Sequence, residues 1–271
     1  MILKSVVFQN SIKLLYGYVC KIYSFFVTIY ENIFYKKSNN KYYIVRNGYF
    51  SKDINKYDLQ NFESVNKQKI NNYLNVYYLD KPNIDKLINS IFDLEFRNYI
   101  SSVTGFNYSI DYLIMYERKF IEKKERDKNT LEQWYSYKWH FDKPNSKNTL
   151  KIIYPLNISS EHGPLTLIDI KSSKRIKNIS KLNTKTKNFK FIGEGSKIYG
   201  FLPSRCIHKD GIPNKGKKSI QIMFQLNPHK RWSINLNLHK RNPDLNNKLK
   251  IWTNEPKFSF LTCFNDKRKY L

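Results

Sequence analysis

Cysteine is scarce in this 271-residue chain, and so are glycine, proline and acidic side chains. The three cysteines, Cys20, Cys206 and Cys263, lie far apart and form no CxxC pair. An odd number of widely spaced cysteines excludes a disulfide framework. The cysteine content therefore predicts a reducing, intracellular compartment, and we expect a cytoplasmic protein.

The shortage of acidic residues leaves 48 Lys and Arg against 22 Asp and Glu, a net charge of +26. Such a surplus indicates an acidic partner, such as nucleic acid, an anionic membrane or an anionic substrate. Codon bias is the alternative, because Lys, Asn, Ile and Tyr, all abundant here, share AT-rich codons. Apolar residues make up 41% of the chain and aromatic residues 16%, enough for one sizeable globular domain.

Long apolar runs are also missing. The most apolar stretch within residues 11–35 is Leu14–Tyr30, which carries Lys21 near its middle. A membrane-spanning helix needs about 20 apolar residues, and no small-residue cleavage site marks a signal peptide. A helix packed on the body or on a second copy, an amphipathic helix on a membrane surface and a true span all stay open. The polar stretch Lys36–Asn40 divides this N-terminal segment (residues 1–40) from a main domain (residues 41–271).

Apolar spacing predicts a helix over Ile84–Tyr99, with a polar, helix-like stretch over Ile54–Tyr73. The charge-dense Glu117–Asn129 is expected in solvent, and the basic stretch Lys171–Lys190 as a surface insertion or lid. Short segments rich in β-branched and aromatic residues predict a closed or double-sheet β architecture in an α+β chain. These segments are Tyr135–Asp142, Leu150–Leu156, Leu165–Ile168, Phe189–Ile192, Ser196–Leu202, Ser219–Leu226 and Ser233–Leu238. Before them, Tyr42–Val45 with Gly48–Phe50 is predicted as a short strand and turn, and Tyr108–Tyr116 as a strand.

Histidine is rare as well, with five in the chain, but the positions of two of them indicate a metal site. His140 and Asp142 end a predicted strand, so their side chains point to the same face. His208 follows another predicted strand and supplies a third ligand. Two histidines and one carboxylate on one face are the ligand set of non-heme Fe(II) oxygenases. Asp169 and Asp210 are the alternative carboxylates.

Lys218 lies ten residues after His208, at the start of the next predicted strand. Its neighbours two, four and six residues on (Ile220, Ile222, Phe224) are apolar, so we expect Lys218 to point inward with them. A buried ammonium needs an anion, and the far carboxylate of an iron-bound dicarboxylate would supply one. Tyr154 is a candidate hydrogen-bond donor to the same molecule, or else a core tyrosine.

These residues resemble the 2-oxoglutarate/Fe(II)-dependent oxygenase superfamily. The resemblance is densest at Trp139–Asp142, at the Gly163-Pro164 turn and from Ile207 to the strand after Lys218. The Gly163-Pro164 turn is similar to the phytanoyl-CoA dioxygenase-like branch, whereas Lys218 with Gly216 is similar to the prolyl-hydroxylase branch. The resemblance implies a double-stranded β-helix (jelly-roll) core around residues 108–238, with N-terminal helices packed on it.

The resemblance also implies a reaction. His140, Asp142 and His208 would bind Fe(II), Lys218 and Tyr154 would bind 2-oxoglutarate, and O₂ would be consumed with release of succinate and CO₂. Ascorbate would serve as a reductant. We expect a hydroxylase of a small metabolite, lipid or sugar-linked substrate. The alternatives are a peptide or protein (prolyl-type) hydroxylase and a non-catalytic basic β-fold binding protein. Phe224 stands where the nucleic-acid-repair branch has a second arginine, which disfavours nucleic acid.

Overall fold

The computed structural model describes residues 18–19, 21–37, 43–54, 66–126, 137–142, 146–179, 182, 187–241, 249–253 and 269–271. The helices are α1 (residues 21–34), α2 (Tyr43–Asn47), α3 (Lys81–Ile91), α4 (Leu94–Thr104) and α5 (Ile170–Arg175), with 3-10 turns at Lys123–Glu125 and Ser160–His162. The strands are β1 (Tyr49–Asp53), β2 (Asn66–Lys69), β3 (Leu74–Tyr78), β4 (Asn107–Lys119), β5 (Leu150–Pro155), β6 (Thr166–Leu167), β7 (Phe189–Lys190), β8 (Lys197–Phe201), β9 (His208–Lys209), β10 (Lys218–His229), β11 (Ser233–Ile234), β12 (Asn237–Arg241), β13 (Leu249–Thr253) and β14 (Lys269–Tyr270).

The strands form one large and one small sheet, with mostly antiparallel pairing. In the large sheet, β10 lies between β4 and β5, and the order continues through β8 to β1. The other edge of β4 pairs with β3, β13 and β11, and only the β4–β11 contact among these is parallel. The small sheet has the order β7–β6–β9. A bridge between His140 and His208 places residues 137–142 beside β9. Together with the helices, this is the expected α+β fold.

From β4 to β10 the chain passes repeatedly from one sheet to the other, with β6 and β7 as two successive strands of the small sheet. β4, β5, β8 and β10 belong to the large sheet, whereas the segment around His140, β6, β7 and β9 belong to the small one. The sheets face each other, since the ring of Phe201 on β8 lies 4.9 Å from that of His208 on β9. The space between the two sheets is therefore lined by side chains that come from both sheets.

Side-chain alternation gives the large sheet two different faces. Phe224 pairs with Leu113 and Ile152 across neighbouring strands, so these three share a face. That face is covered by helices, because the ring of Phe92 lies 5.0 Å from the ring of Phe224. The opposite face carries Phe201 and looks toward the small sheet. The main hydrophobic cluster spans the helices and both sheets.

Two aspartates cap the N-termini of the helices α3 and α4, which cover this face of the large sheet. The side chain of Asp80 accepts a hydrogen bond from the Asn83 N–H and begins α3, and Asp93 caps α4 through the Phe96 N–H in the same way. The single helix predicted over Ile84–Tyr99 is therefore two helices, separated at Asp93.

Several other local predictions are wrong. The segment Tyr42–Val45, predicted as a strand, overlaps helix α2. Ile44 packs in the hydrophobic core from this helix, so tertiary packing outweighs the strand preference of the local sequence. Within the described part of Ile54–Tyr73, residues 66–69 are strand β2. The strand predicted over Tyr135–Asp142 is reduced, in residues 137–142, to the bridge at His140. The basic stretch Lys171–Lys190 begins inside helix α5, and its residues 180, 181 and 183–186 lie outside the described part.

The charge-dense segment from Glu117 was also misassigned. β4 continues through Lys119, and the side chains of Glu117 and Arg118 are fully buried. Hydrogen bonds to Glu117 from Asn75 and Tyr77, and ion pairs with lysines, compensate its charge. Pairing along the long β4–β10 ladder therefore overrides the local charge density.

Helix α1 lies on the body through a small polar contact. Glu31 is buried and accepts hydrogen bonds from Ser146 and Asn148, and Thr28 accepts one from the Lys147 N–H. The other side of the helix and the preceding residues 18 and 19 carry exposed apolar and aromatic side chains. They are Tyr18, Val19, Ile22, Phe25, Phe26, Ile29, Tyr30, Ile33 and Phe34. No helix among the described residues is long and apolar enough to cross a membrane.

Candidate metal centre

His140 and His208 face each other across the small sheet. The backbone N–H of each donates to the carbonyl of the other, both at 3.0 Å. Directly paired residues place their side chains on the same side of a sheet, and the two imidazole centroids lie 4.4 Å apart. The bridge thus fixes two nitrogen ligands next to each other.

Asp142 completes the cluster. It lies two residues beyond His140, and its N–H donates to the carbonyl of Pro203 at 3.0 Å. Its Oδ1 lies 3.3 Å from Nε2 of His140 and 3.4 Å from Nε2 of His208. The three ligand atoms all lie within 4.8 Å of one another. In the part of the chain that the structure describes, this is the one such cluster of His, Cys, Asp or Glu.

Outer contacts orient all three side chains. Nδ1 of His140 lies 2.7 Å from the carbonyl of Lys138, and Nδ1 of His208 lies 3.0 Å from that of Cys206. A carbonyl only accepts, so each Nδ1 carries the proton and each Nε2 lone pair points into the cluster. Lys151 Nζ contacts Oδ2 of Asp142 and leaves Oδ1 for the cluster.

The electrostatics suit a cation. Burial raises the pKa of Asp142, but Lys151, His140 and His208 outweigh it and hold that pKa well below its ordinary range. Burial lowers the pKa of His208, which favours the neutral imidazole that a metal requires. Burial also lowers the pKa of His140, but the hydrogen bond to Asp142 and the contact with Lys138 raise it overall.

The donor set fits a metal with open coordination positions. Two imidazole nitrogens and one carboxylate oxygen on one side of the site form a facial triad, which is typical of non-heme Fe(II) enzymes. A closed structural zinc site would need a fourth protein ligand. Cys206 does not provide it, because its Sγ contacts the carbonyl of Gly48, and burial raises the pKa of this thiol to about 12.

The expectation that Lys218 points inward is wrong. Lys218 shares a face with Ile222 and Phe224, but that is the face covered by helices, and the side chain at its end is 57% exposed and 3.5 Å from Glu117. Tyr154 is also on the wrong side for the cluster. It pairs with Ile222, and its hydroxyl donates to the carbonyl of Gly195 at 2.7 Å. Tyr154 is therefore a core tyrosine.

Arg118 is the buried cation that sequence reasoning missed. It pairs with Ser219 on β10, the residue next to Lys218, so its side chain lies on the opposite face from that of Lys218. This is the face that looks toward the small sheet. The Arg118 side chain is fully buried, and Nη1 lies 2.8 Å from Oδ1 of Asp210, two residues beyond His208. The guanidinium donates hydrogen bonds to the Ser219 hydroxyl, the Gln221 amide oxygen and the carbonyls of Gly163 and Gly211. Alternation along Tyr112, Ile114 and Tyr116 was the signal that could have found it.

Contacts within the protein engage both alternative carboxylates, Asp169 and Asp210, and two residues near the site, His162 and Trp139. Asp169 caps helix α5 through the Ser172 N–H and is not an alternative ligand. Asp210 is engaged by Arg118. His162 bonds to Ser159 in a 3-10 turn. Trp139 lies beneath Lys209, whose Nζ is 4.6 Å from the indole ring.

No protein-family model matches the sequence, and a search of curated proteins finds no match. Among solved structures, the chain is similar to EctD from S. alaskensis with 2-oxoglutarate and 5-hydroxyectoine. They are 11% identical, the alignment covers 72% of this chain and 80% of that chain, and the TM-score is 0.51. The chain shares this fold. It is also similar to SnoN, the non-heme alpha ketoglutarate dependent epimerase from nogalamycin biosynthesis, at 11% identity, with 69% and 78% of the two chains covered and a TM-score of 0.45.

Proposed function

We propose that this chain is an Fe(II)- and 2-oxoglutarate-dependent oxygenase that acts on a small molecule. The observation that carries the proposal is the convergence of His140 Nε2, His208 Nε2 and Asp142 Oδ1, each held by an outer partner. The alternation of β4, β5, β8 and β10 with strands of the small sheet supports a double-stranded β-helix core around residues 108–238. The division into residues 1–40 and 41–271 belongs to the same proposal.

In this proposal the three side chains hold Fe(II), which with 2-oxoglutarate and O₂ supplies oxidising power for hydroxylation. Asp142 binds through Oδ1 alone, because Lys151 occupies Oδ2. The backbone carbonyls behind His140 and His208 keep both Nε2 atoms unprotonated. The open side of the triad is left for cosubstrate and substrate.

We assign the cosubstrate's far carboxylate to Arg118 in place of Lys218. Arg118 already binds a carboxylate, that of Asp210, inside the barrel next to the strand of His208. Ser219 lies beside its Nε at 3.1 Å and adds a hydroxyl. A guanidinium binds carboxylates in a fixed planar geometry. The cosubstrate would exchange with Asp210 at this position.

A small-molecule substrate is the favoured class. The prolyl-type alternative depended on an inward Lys218, which is exposed instead. The EctD structure of similar fold was solved with 5-hydroxyectoine, a small molecule, and this supports the same class here. A metabolite, a lipid and a sugar-linked compound all stay within the proposal.

The test is an anaerobic titration of the metal-free protein with Fe(II) and then 2-oxoglutarate. We expect one Fe(II) per chain and a visible charge-transfer band that needs both additions. His140→Ala and His208→Ala should abolish the band, while His229→Ala, a histidine away from the cluster, should keep it. A non-catalytic basic binding protein predicts no band in the wild type.

We also propose that helix α1 contacts an anionic membrane surface. Its exposed apolar side chains are between 38% and 67% accessible, a contiguous patch of the kind that marks an interaction site. Glu31, the one acidic residue of residues 21–34, is buried against the body, while Lys21, Lys36 and Lys37 are exposed. Aromatic residues beside lysines suit an anionic lipid interface. The net charge of +26 disfavours a second copy of the same chain at this face.

A further inference from the structure

A cavity of about 380 Å³ lies on the helix-covered side of the large sheet, away from the triad. It is bordered by α1, α2, the end of α4 and the loop after β8. Ile44, Phe106 and Leu202 give it apolar walls, and Asn148 and Tyr108 add polar groups. Two cations, Arg205 and Lys36, complete the lining. A volume of this size accommodates a small organic molecule.

Arg205 is a cation without a matching anion. Its Nη2 donates to the Asn148 amide oxygen at 3.2 Å, and among the described residues no carboxylate forms an ion pair with it. Burial lowers the pKa of Arg205, which reflects the unfavourable environment of its charge. A partly buried guanidinium with one neutral hydrogen-bond partner is unfavourable, so it marks a place where an anion would be stabilised.

The nearest acid does not neutralise Arg205. Glu31 bonds to the amide nitrogen of Asn148, whose oxygen accepts from Arg205, so this amide separates the two groups. Burial raises the pKa of Glu31 to about 7, although hydrogen bonds from Ser146 and Asn148 lower it in part. Near neutral pH a large fraction of Glu31 is uncharged, and the local charge stays positive.

We infer that this cavity binds a small organic oxyanion, a phosphate monoester or carboxylate with a compact apolar body, through Arg205 and Lys36. The guanidinium would hold the oxyanion in planar geometry, and Lys36 at the rim would add a second charge. Ile44, Phe106 and Leu202 would cover the apolar part. Binding at this site does not depend on the proposed oxygenase activity.

The cavity is connected to the triad by one short segment. Pro203 accepts the hydrogen bond of the Asp142 N–H, and Cys206 accepts that of His208 Nδ1. Arg205 lies between these two acceptors in the chain. An anion that restrains Arg205 would therefore restrain the loop that orients two of the three candidate ligands.

Calorimetric titration of the metal-free full chain tests the site, in buffered saline to suppress nonspecific binding by the basic surface. The probes are phenyl phosphate and benzoate, with neutral benzyl alcohol as the reference. We expect saturable binding of at least one anion at one site per chain and none of the alcohol. Arg205→Gln should weaken this binding by roughly tenfold or more.

Two further variants keep the test decisive if Arg205→Gln does not fold. Lys36→Gln changes an exposed side chain at the rim and should weaken binding by a few fold. Arg231→Gln removes an exposed arginine outside the cavity and should change nothing. Failure of both anions to bind saturably, or equal losses in Lys36→Gln and Arg231→Gln, would overturn the inference.

Discussion

Nη1 of Arg118 lies 2.8 Å from Oδ1 of Asp210, which directly follows strand β9 and its candidate metal ligand His208. The buried cation of the interior face therefore belongs to β4. Lys218, at the start of β10, is exposed. Arg118 is therefore the cation that we propose for the far carboxylate of the cosubstrate.

Arg118→Lys should raise the KM for 2-oxoglutarate by roughly tenfold or more, because an ammonium cannot reproduce the planar contact with a carboxylate. Lys218→Gln is the control and should leave this KM unchanged, since its side chain points away from the interior. Initial rates at varied 2-oxoglutarate measure both, and thermal unfolding verifies that each variant folds. The reverse result would restore Lys218 as the anchor.

Lys151→Met should weaken Fe(II) binding by about 10- to 100-fold, the range typical for outer partners of metal ligands. The lysine pairs with Oδ2 of Asp142 and leaves Oδ1 to face the proposed Fe(II). Lys197→Met on the adjacent strand β8 is the control, because Lys197 pairs with the exposed Asp53 instead. Anaerobic Fe(II) titration compares them, and equal affinities in the two variants would contradict the assignment.

Glu31 should make stability depend on pH. Its pKa is raised to about 7 in the folded chain and is ordinary when unfolded, so folding is favoured most below about pH 4.5. This contribution is lost as pH rises from about 4.5 to 7 and amounts to roughly 3 kcal/mol. Chemical unfolding of wild type and Glu31→Gln from pH 5 to 8 measures it. The difference between the two proteins should shift in favour of Glu31→Gln as pH rises; a constant difference would refute the prediction.

Gly211→Ala should destabilise the chain by about 1–3 kcal/mol and raise the KM for 2-oxoglutarate. An added Cβ would lie 2.6 Å from the Gly163 carbonyl carbon, so the two backbones that both accept from Arg118 must separate. Gly216→Ala, with open space around its Cβ, should cost only the strain of its positive φ and leave KM unchanged. Thermal unfolding and steady-state kinetics decide; an unaltered KM in Gly211→Ala would count against this role of the two loops.

The exposed side of α1 predicts sedimentation of the chain with vesicles of phosphatidylcholine and phosphatidylglycerol, and weaker sedimentation with phosphatidylcholine alone. Replacing Ile22 and Phe26 by Ser should abolish it, whereas replacing Leu94, an exposed residue on α4, should not. Light scattering checks the mass in solution. A dimer that dissociates in the Ile22/Phe26 variant without any vesicle binding would show that a second copy covers the face.

Local sequence patterns were enough to predict the His140, Asp142 and His208 cluster but not the buried cation Arg118. Strand alternation predicted that His140 and Asp142 share a face. The single bridge from His140 to His208 and the hydrogen bond from the Asp142 N–H to Pro203 bring the three side chains together. Lys218 was misplaced because both faces of β10 carry apolar side chains, Ile222 on one and Met223 on the other. Only the position of the helices, a tertiary property, decides which face is the interior. The burial of Arg118 was not predicted, because its neighbours in sequence, Glu117 and Lys119, are charged and suggest a solvent-exposed segment.

Succinate formation from 2-oxoglutarate by the Fe(II)-loaded chain is the decisive measurement of the proposed oxygenase activity. With O₂ present, we predict substrate-independent succinate release by the wild type and by His229→Ala, and its loss in His140→Ala and His208→Ala. Turnover that persists in both triad variants would contradict the account, as would its absence from wild-type protein that has bound Fe(II) and 2-oxoglutarate.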